Sequence, residues 1–246
     1  MNSYTAFSNI YDTLMHRDIN YEHIADYIEN IFAIYEKTPD IVVDLACGTG
    51  NLTLPLSKRG YDMIGIDKSI DMLNIARQKS GFDNSILFLN QDITKLDLYG
   101  TADAFLCMID GINYILEPNA LFGMFKKIKT CFLNDYGILI FDISSRYKLS
   151  HIIGDNTFIY NQDDIFYSWE NRFFKNLQLS DMYLNFFVKD KNRYKKFSER
   201  HLQRAYSVGL IKNILSKAGF KKIHTYADFT FNKPDKKTER IIFAAE

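Results

Sequence analysis

Residues 41–50, IVVDLACGTG, carry an apolar run into Asp44 and then place glycines at 48 and 50. A glycine turn after a strand lets the backbone approach a ligand closely, and three ligands compete for it. A phosphate-cradling loop needs GxxxxGK followed by Ser or Thr, and no such string occurs. A dinucleotide turn needs GxGxxG, but the row continues as GTGNLT, with Thr53 where the third glycine belongs. That weakens the dinucleotide without excluding it. The third ligand is S-adenosylmethionine, which has an ammonium, a carboxylate, a ribose and an adenine but no pyrophosphate. Asp44 would repel a phosphate and suits an ammonium, while N–H groups near the following helix start can meet a carboxylate.

Two more acids sit at equivalent places. Asp67 ends DMIGID, 17 positions after Gly50, where a carboxylate can accept both ribose hydroxyl protons of NAD or S-adenosylmethionine. Asp92, in NQDI, can accept from an adenine amino group while Ile93 packs on the ring. Both could instead be plain helix caps.

These positions require strands that end on one edge. The chain supplies IVVDL, DMIGID, ILFLNQD, DAFLCMID and GILIFD, separated by helical patterns over about 51–58, 69–80 and 118–133. The strands are short and apolar throughout, which predicts burial on both faces and a parallel sheet wrapped by helices. Helical spacing also covers 4–15 and 20–36, the latter stopped before Pro39. After Ser145 the pattern becomes aromatic and roughly alternating, in FYSWENRFF, DMYLNFFVKD and RYKKFSERHLQRAY. These predict antiparallel strands with one wetter face. A helix at 207–220 and strands in KKIHTYADF and ERIIFAAE close the chain. The expected organisation is one α/β domain, 1–145 with 206–246, interrupted at 146–205 by an antiparallel β insertion leaving strand 5.

At 246 residues the chain can bury a full core. No apolar run approaches the ~18 residues a membrane helix needs, and the amino terminus lacks a secretory pattern. Three cysteines without CxxC spacing argue against disulfides or zinc, so a cytoplasmic protein without metal is expected. Net charge is zero, yet residues 146–246 hold 19 Lys and Arg against 11 Asp and Glu. A solvated basic face explains this, as does an anionic substrate approaching the C-terminal half.

With VDLACGTG, IGIDKS, NQDI, DAFLCMIDGINYI and GILIFDISS in place, the sequence resembles the class I S-adenosylmethionine-dependent methyltransferases. FSNIYDTLM and the aromatic insertion are similar to the bacterial small-molecule branch that includes aminosugar N-methyltransferases. The resemblance implies a Rossmann-like, doubly wound, mostly parallel seven-stranded sheet. It implies Asp44, Ala46, Cys47, Gly48 and Gly50 along the methionine portion of the cofactor, joined by Met108. Asp67 would hold the ribose, Lys68 and Met72 would flank the adenine, Asp92 and Ile93 would hold it, and Tyr11 would cover the ligand. Ala46 departs from the family, which usually has its first glycine there.

Methyl transfer is an in-line displacement that needs alignment and exclusion of water more than a strong base. The acceptor pocket is expected above strands 4 and 5. Asp110 is the foremost candidate to accept a proton or orient an amine, with Tyr114 and His201 behind it. Asn113, Asp142, Trp169 and Arg204 are candidate substrate contacts, although Trp169 can equally be packing. His201 and Arg204 are three apart in a strand, so alternation allows only one to face the pocket. The expected acceptor is a small molecule methylated at nitrogen or oxygen. RNA, for which no recognisable binding module exists, and a non-catalytic cofactor sensor are the alternatives.

Overall fold

The computed structural model describes residues 12, 19–81, 85–162 and 164–246. Seven strands form one sheet: β1 (Ile41–Leu45), β2 (Asp62–Asp67), β3 (Leu87–Asn90), β4 (Ala102–Cys107), β5 (Leu133–Ser144), β10 (Ile223–Ala227) and β11 (Arg240–Ala245). Their order is β10-β11-β5-β4-β1-β2-β3. β1 to β5 run parallel, and β11 inserts antiparallel between β5 and β10. The doubly wound, mostly parallel sheet expected from the sequence is therefore the fold.

Helices α1 (Tyr21–Ile34), α2 (Thr53–Lys58) and α3 (Ile70–Lys79) cover one face. Ile28, Leu56 and Leu73 pack there on Val42, Leu106 and Ile140. Helices α4 (Pro118–Lys127) and α5 (Val208–Ala218) cover the other, with Phe125 and Leu215 against Phe105 and Phe141. Successive strand residues feed opposite layers, so every sheet position in the centre is apolar, each large side chain contributing about 2 kcal/mol of burial. Side-chain caps fix the helix starts: Asn20, Ser69 and Ser207 accept from the backbone N–H of His23, Met72 and Leu210. Gly219, at φ +110°, ends α5 in the left-handed conformation.

The helix expected over 118–133 ends at Lys127, and a wide turn over Ile128–Phe132 leads into β5, which begins four residues earlier than GILIFD suggests. A register shift opposite Ala102 and Ala104 accommodates the extra length.

The insertion is a second, four-stranded antiparallel meander: β6 (Thr157–Gln162), β7 (Ile165–Phe174), β8 (Leu179–Asp190) and β9 (Arg193–Arg204). β6 was not among the expected strands. Its Phe158 and Tyr160 pair with Trp169 and Tyr167 of β7. One face of the meander is wet. The other packs on Leu149 and Ile153 of the turn at 148–153 and, through Phe186, on Met72 of α3. Among the described residues no helix is long and apolar enough to cross a membrane.

Candidate active site

The carboxyl ends of β1, β2 and β3 meet at one edge. Asp44 is buried there, and its Oδ2 accepts from Thr53 Oγ1 at 2.6 Å. Burial, reinforced by the charge of Asp67, pushes its carboxyl up to about 7. The turn that follows is left-handed at Ala46 (φ +56°), Gly48 (φ +56°) and Gly50 (φ +75°). Gly48 needs this freedom because its N–H turns inward to donate to Asp67 Oδ2 at 2.9 Å. Ser69 N–H donates to Asp67 Oδ1 at 2.8 Å. Each Asp67 oxygen thus spends one acceptor site on the backbone and keeps another. Burial raises its pKa, partly offset by those two bonds. Asp92 caps the short turn at 93–95 through Oδ1, which accepts from Thr94 N and Oγ1 at 2.8 and 2.7 Å. Asp12 reaches the same turn from the amino-terminal side, accepting from Thr49 Oγ1, Asn51 Nδ2 and Lys79 Nζ.

Two adjoining cavities open at this edge. The larger, about 360 Å³, runs from Asp67, Lys68, Met72, Asp92 and Ile93 to Tyr114 and His201. The smaller, about 50 Å³, lies among Asp44, Cys47, Asn51 and Met108, with Tyr21 at its rim. Ala46, Gly48 and Ile109 line both. An elongated ligand with a cationic end near Asp44 and a nucleoside end near Asp67 and Asp92 fits this shape. Gly50 lies outside both walls. A Cβ there would stand 3.2 Å from Ala76 Cβ, so its smallness serves the packing of α3 on the turn. Tyr11 lies outside the described residues. Cys47 and Cys107 are free thiols whose pKa burial raises, which keeps them protonated and inert.

The acceptor side differs from the sequence expectation. Asp110, Asn113 and Asp142 line neither cavity. Arg240 Nη1 binds Asp110 Oδ1 at 2.7 Å and also Asp142 Oδ2, while Ser144 Oγ donates to Asp110 Oδ1 at 2.8 Å. Despite burial, Arg240 and Lys148 hold the Asp110 carboxyl below the usual carboxylate range, so it is a poor proton acceptor. Asn113 is fully buried and clamps three backbone groups: it donates to the carbonyls of Ser144 and Arg204 and accepts from Ser144 N–H. Beside this clamp, Asp110 N–H donates to Asp142 Oδ1 at 3.2 Å, and Ile109 (φ +61°) and Asp110 (φ +67°) form a left-handed pair that a β-branched residue rarely adopts. Arg204 donates to the carbonyls of Leu116 and Leu177, tying the meander's end to the loop after β4. Trp169 packs with Leu149 and Ile153.

Tyr114 and His201 do meet at the cavity, Tyr114 Oη and His201 Nδ1 being 3.3 Å apart. Burial, with the nearby Lys68 charge, lowers the His201 pKa, so the imidazole is neutral at pH 7. Residues unread in the sequence also line the cavity: Ile109 and Gly111, through the strained turn, and Glu117 and Ala120 at the start of α4. Gly111 has a signal only in three dimensions, since a Cβ there would meet Cys107 Sγ at 2.6 Å.

Residues 42–133 match the family model described as "Methyltransferase domain". YqeM of Bacillus subtilis, whose name assigns it provisionally to the methyltransferases, is 34% identical over 99% of this chain and 96% of its own length. The crystal structure of an S-adenosylmethionine-dependent methyltransferase from Clostridium acetobutylicum shares 35% identity over 100% of this chain and 99% of that one, with a TM-score of 0.89. CalS10 of Micromonospora echinaspora, an amino pentose methyltransferase solved with S-adenosylmethionine bound, shares the fold at 15% identity, with coverage of 93% and 92% and a TM-score of 0.73. With acids at three strand ends, two joined cavities and full-length relatives in agreement, the chain belongs to the S-adenosylmethionine-dependent methyltransferases.

Proposed function

We propose that the enzyme methylates a nitrogen or oxygen of a small molecule held between the carboxyl edge of the large sheet and the inner face of the β6–β9 meander. One observation carries this reading: a single cavity joins Asp67 and Asp92 on the large sheet to His201 on the meander. S-adenosylmethionine supplies a methyl group already activated by positive sulfur. The chain supplies orientation. Asp44 faces the ammonium, Asp67 accepts from the ribose hydroxyls with its spare lone pairs, and Asp92 and Ile93 take the adenine. Tyr114 and neutral His201 stand where an acceptor enters and can take its proton or steer its lone pair. The meander walls one side of the cavity through His201 and limits the access of water to it. CalS10 and the sugar N-methyltransferase KedS8 share the fold over most of this chain, which supports nitrogen as the methylated atom.

The test is incubation with methyl-labelled S-adenosylmethionine and, in separate reactions, the small-molecule fraction of a bacterial lysate, total RNA and denatured protein. Label is expected in a small product. Label confined to RNA or protein overturns the proposal.

A further inference from the structure

The two faces of the meander differ in charge. Strand register aligns Trp169–Leu184–Glu199 and, one row on, Asn171–Met182–His201 on the inner face. From the row Tyr167–Phe186–Phe197 to the row Phe173–Ser180–Gln203, that face holds no lysine or arginine. Arg172, Lys196 and Arg200 point the other way, where Arg200 forms a bidentate pair with Asp181. The basic excess of the C-terminal half is here a solvated outer surface.

The inner face has a second peculiarity. Among the described residues, four buried side-chain polar atoms lack a hydrogen-bond partner: Trp169 Nε1, Asn171 Oδ1, Ser180 Oγ and Glu199 Oε1. All four lie on this one face of one sheet. Such an atom costs about 1–3 kcal/mol when left unmatched, and more when charged, so four together are a cost the fold carries for a reason outside itself. Glu199 stands out. It is 5% exposed, and among the described residues its carboxylate has neither ion pair nor hydrogen bond. Its neighbours on the face are Phe197, Leu184 and His201. His201 lines the large cavity and lies one strand repeat away, about 7 Å along β9. Apart from the indole N–H, the unmatched groups can all accept hydrogen bonds.

We infer that Glu199 is an acceptor-positioning residue, whose carboxylate receives a cationic, hydrogen-bond-donating group of the methyl acceptor. The inference rests on the small-molecule methyltransferase reading and selects, within it, cationic acceptors over anionic ones. It assigns the charge preference to the meander and leaves cofactor binding to the large sheet.

The labelling reaction tests the reading; the charge of the labelled species and a Glu199 variant test the inference. The acceptor activity of the lysate fraction is expected to be retained on a cation exchanger at pH 7. Butylammonium is expected to inhibit labelling where equimolar butanol does not. Glu199→Gln keeps the shape and removes the charge. It should raise KM for the retained fraction at least tenfold, change kcat less than threefold, leave S-adenosylhomocysteine affinity within twofold and erase the distinction between butylammonium and butanol. A merely structural carboxylate would shift melting temperature without that KM-against-kcat split. Acceptor activity recovered in the unretained fraction, or a KM for Glu199→Gln within twofold of the wild type, overturns the inference and means that water meets these four atoms.

Discussion

Five aspartates sit at or just past the carboxyl ends of parallel strands, and the sheet treats them in two ways. On the β1–β3 side, Asp44, Asp67 and Asp92 bond to hydroxyls or backbone N–H groups and border a cavity. On the β4–β5 side, Asp110 and Asp142 share one guanidinium, Arg240, and line neither of the two cavities described at that edge. The first group keeps acceptor capacity beside a cavity. The second spends it on holding the turn at Ile109 and Asp110. A carboxylate at a strand end is therefore an invitation to a ligand only when no cation of the chain has already answered it.

The largest effect should come from breaking the second group. Arg240→Ala leaves two carboxylates close together with Asp142 fully buried, which should cost about 3–5 kcal/mol of stability in urea denaturation. On the cofactor side the loss should instead be one of affinity. Asp67→Asn removes charge-assisted bonds worth about 1.5–3 kcal/mol, so S-adenosylhomocysteine should bind about 10- to 100-fold more weakly by calorimetry, with much less effect on unfolding.

The pH response should separate the groups further. The Asp44 carboxyl, at about 7, is protonated at mildly acidic pH, and a cationic ligand favours its ionised form. Binding should release a proton, and affinity should fall up to about tenfold per unit as pH drops below 7; calorimetry in buffers of different ionisation enthalpy reads this directly. The effect on unliganded stability has the opposite direction. The folded carboxyl holds its proton above the ordinary value of 3.8, so this contribution is full below 3.8 and is lost as pH rises to about 7. Asp110, with a depressed pKa, contributes above its ordinary range and loses that contribution only in acid. The smallest effect belongs to Ala46→Gly. It relieves a left-handed alanine at φ +56° but loosens the unfolded chain, so thermal unfolding should show a gain of at most about 1 kcal/mol.

What the sequence disclosed follows the same division. Strands 1 to 3 were legible because each apolar run stops at a polar residue whose role is local. The engagement of Asp110 was hidden because its partner lies 130 residues away on an antiparallel strand, and no local spacing encodes that pairing. Alternation did separate His201 from Arg204, since it needs only the strand's period. The same rule could have found Glu199 on the His201 face, but not that no described residue pairs with it there. β6 went unread because TFIYNQ is short and sits between Gly154-Asp155-Asn156 and Asp163-Asp164, so only its pairing with β7 defines it. Gly50 was read as a ligand contact because a helix packing against a turn leaves the same trace as a ligand does.

Asp12 joins Thr49, Asn51 and Lys79, and so makes the glycine turn a joint product of residues far apart in the chain. Asp12→Ala would hand those three donors to solvent. The glycine turn would then lose its brace without a single change in its own letters.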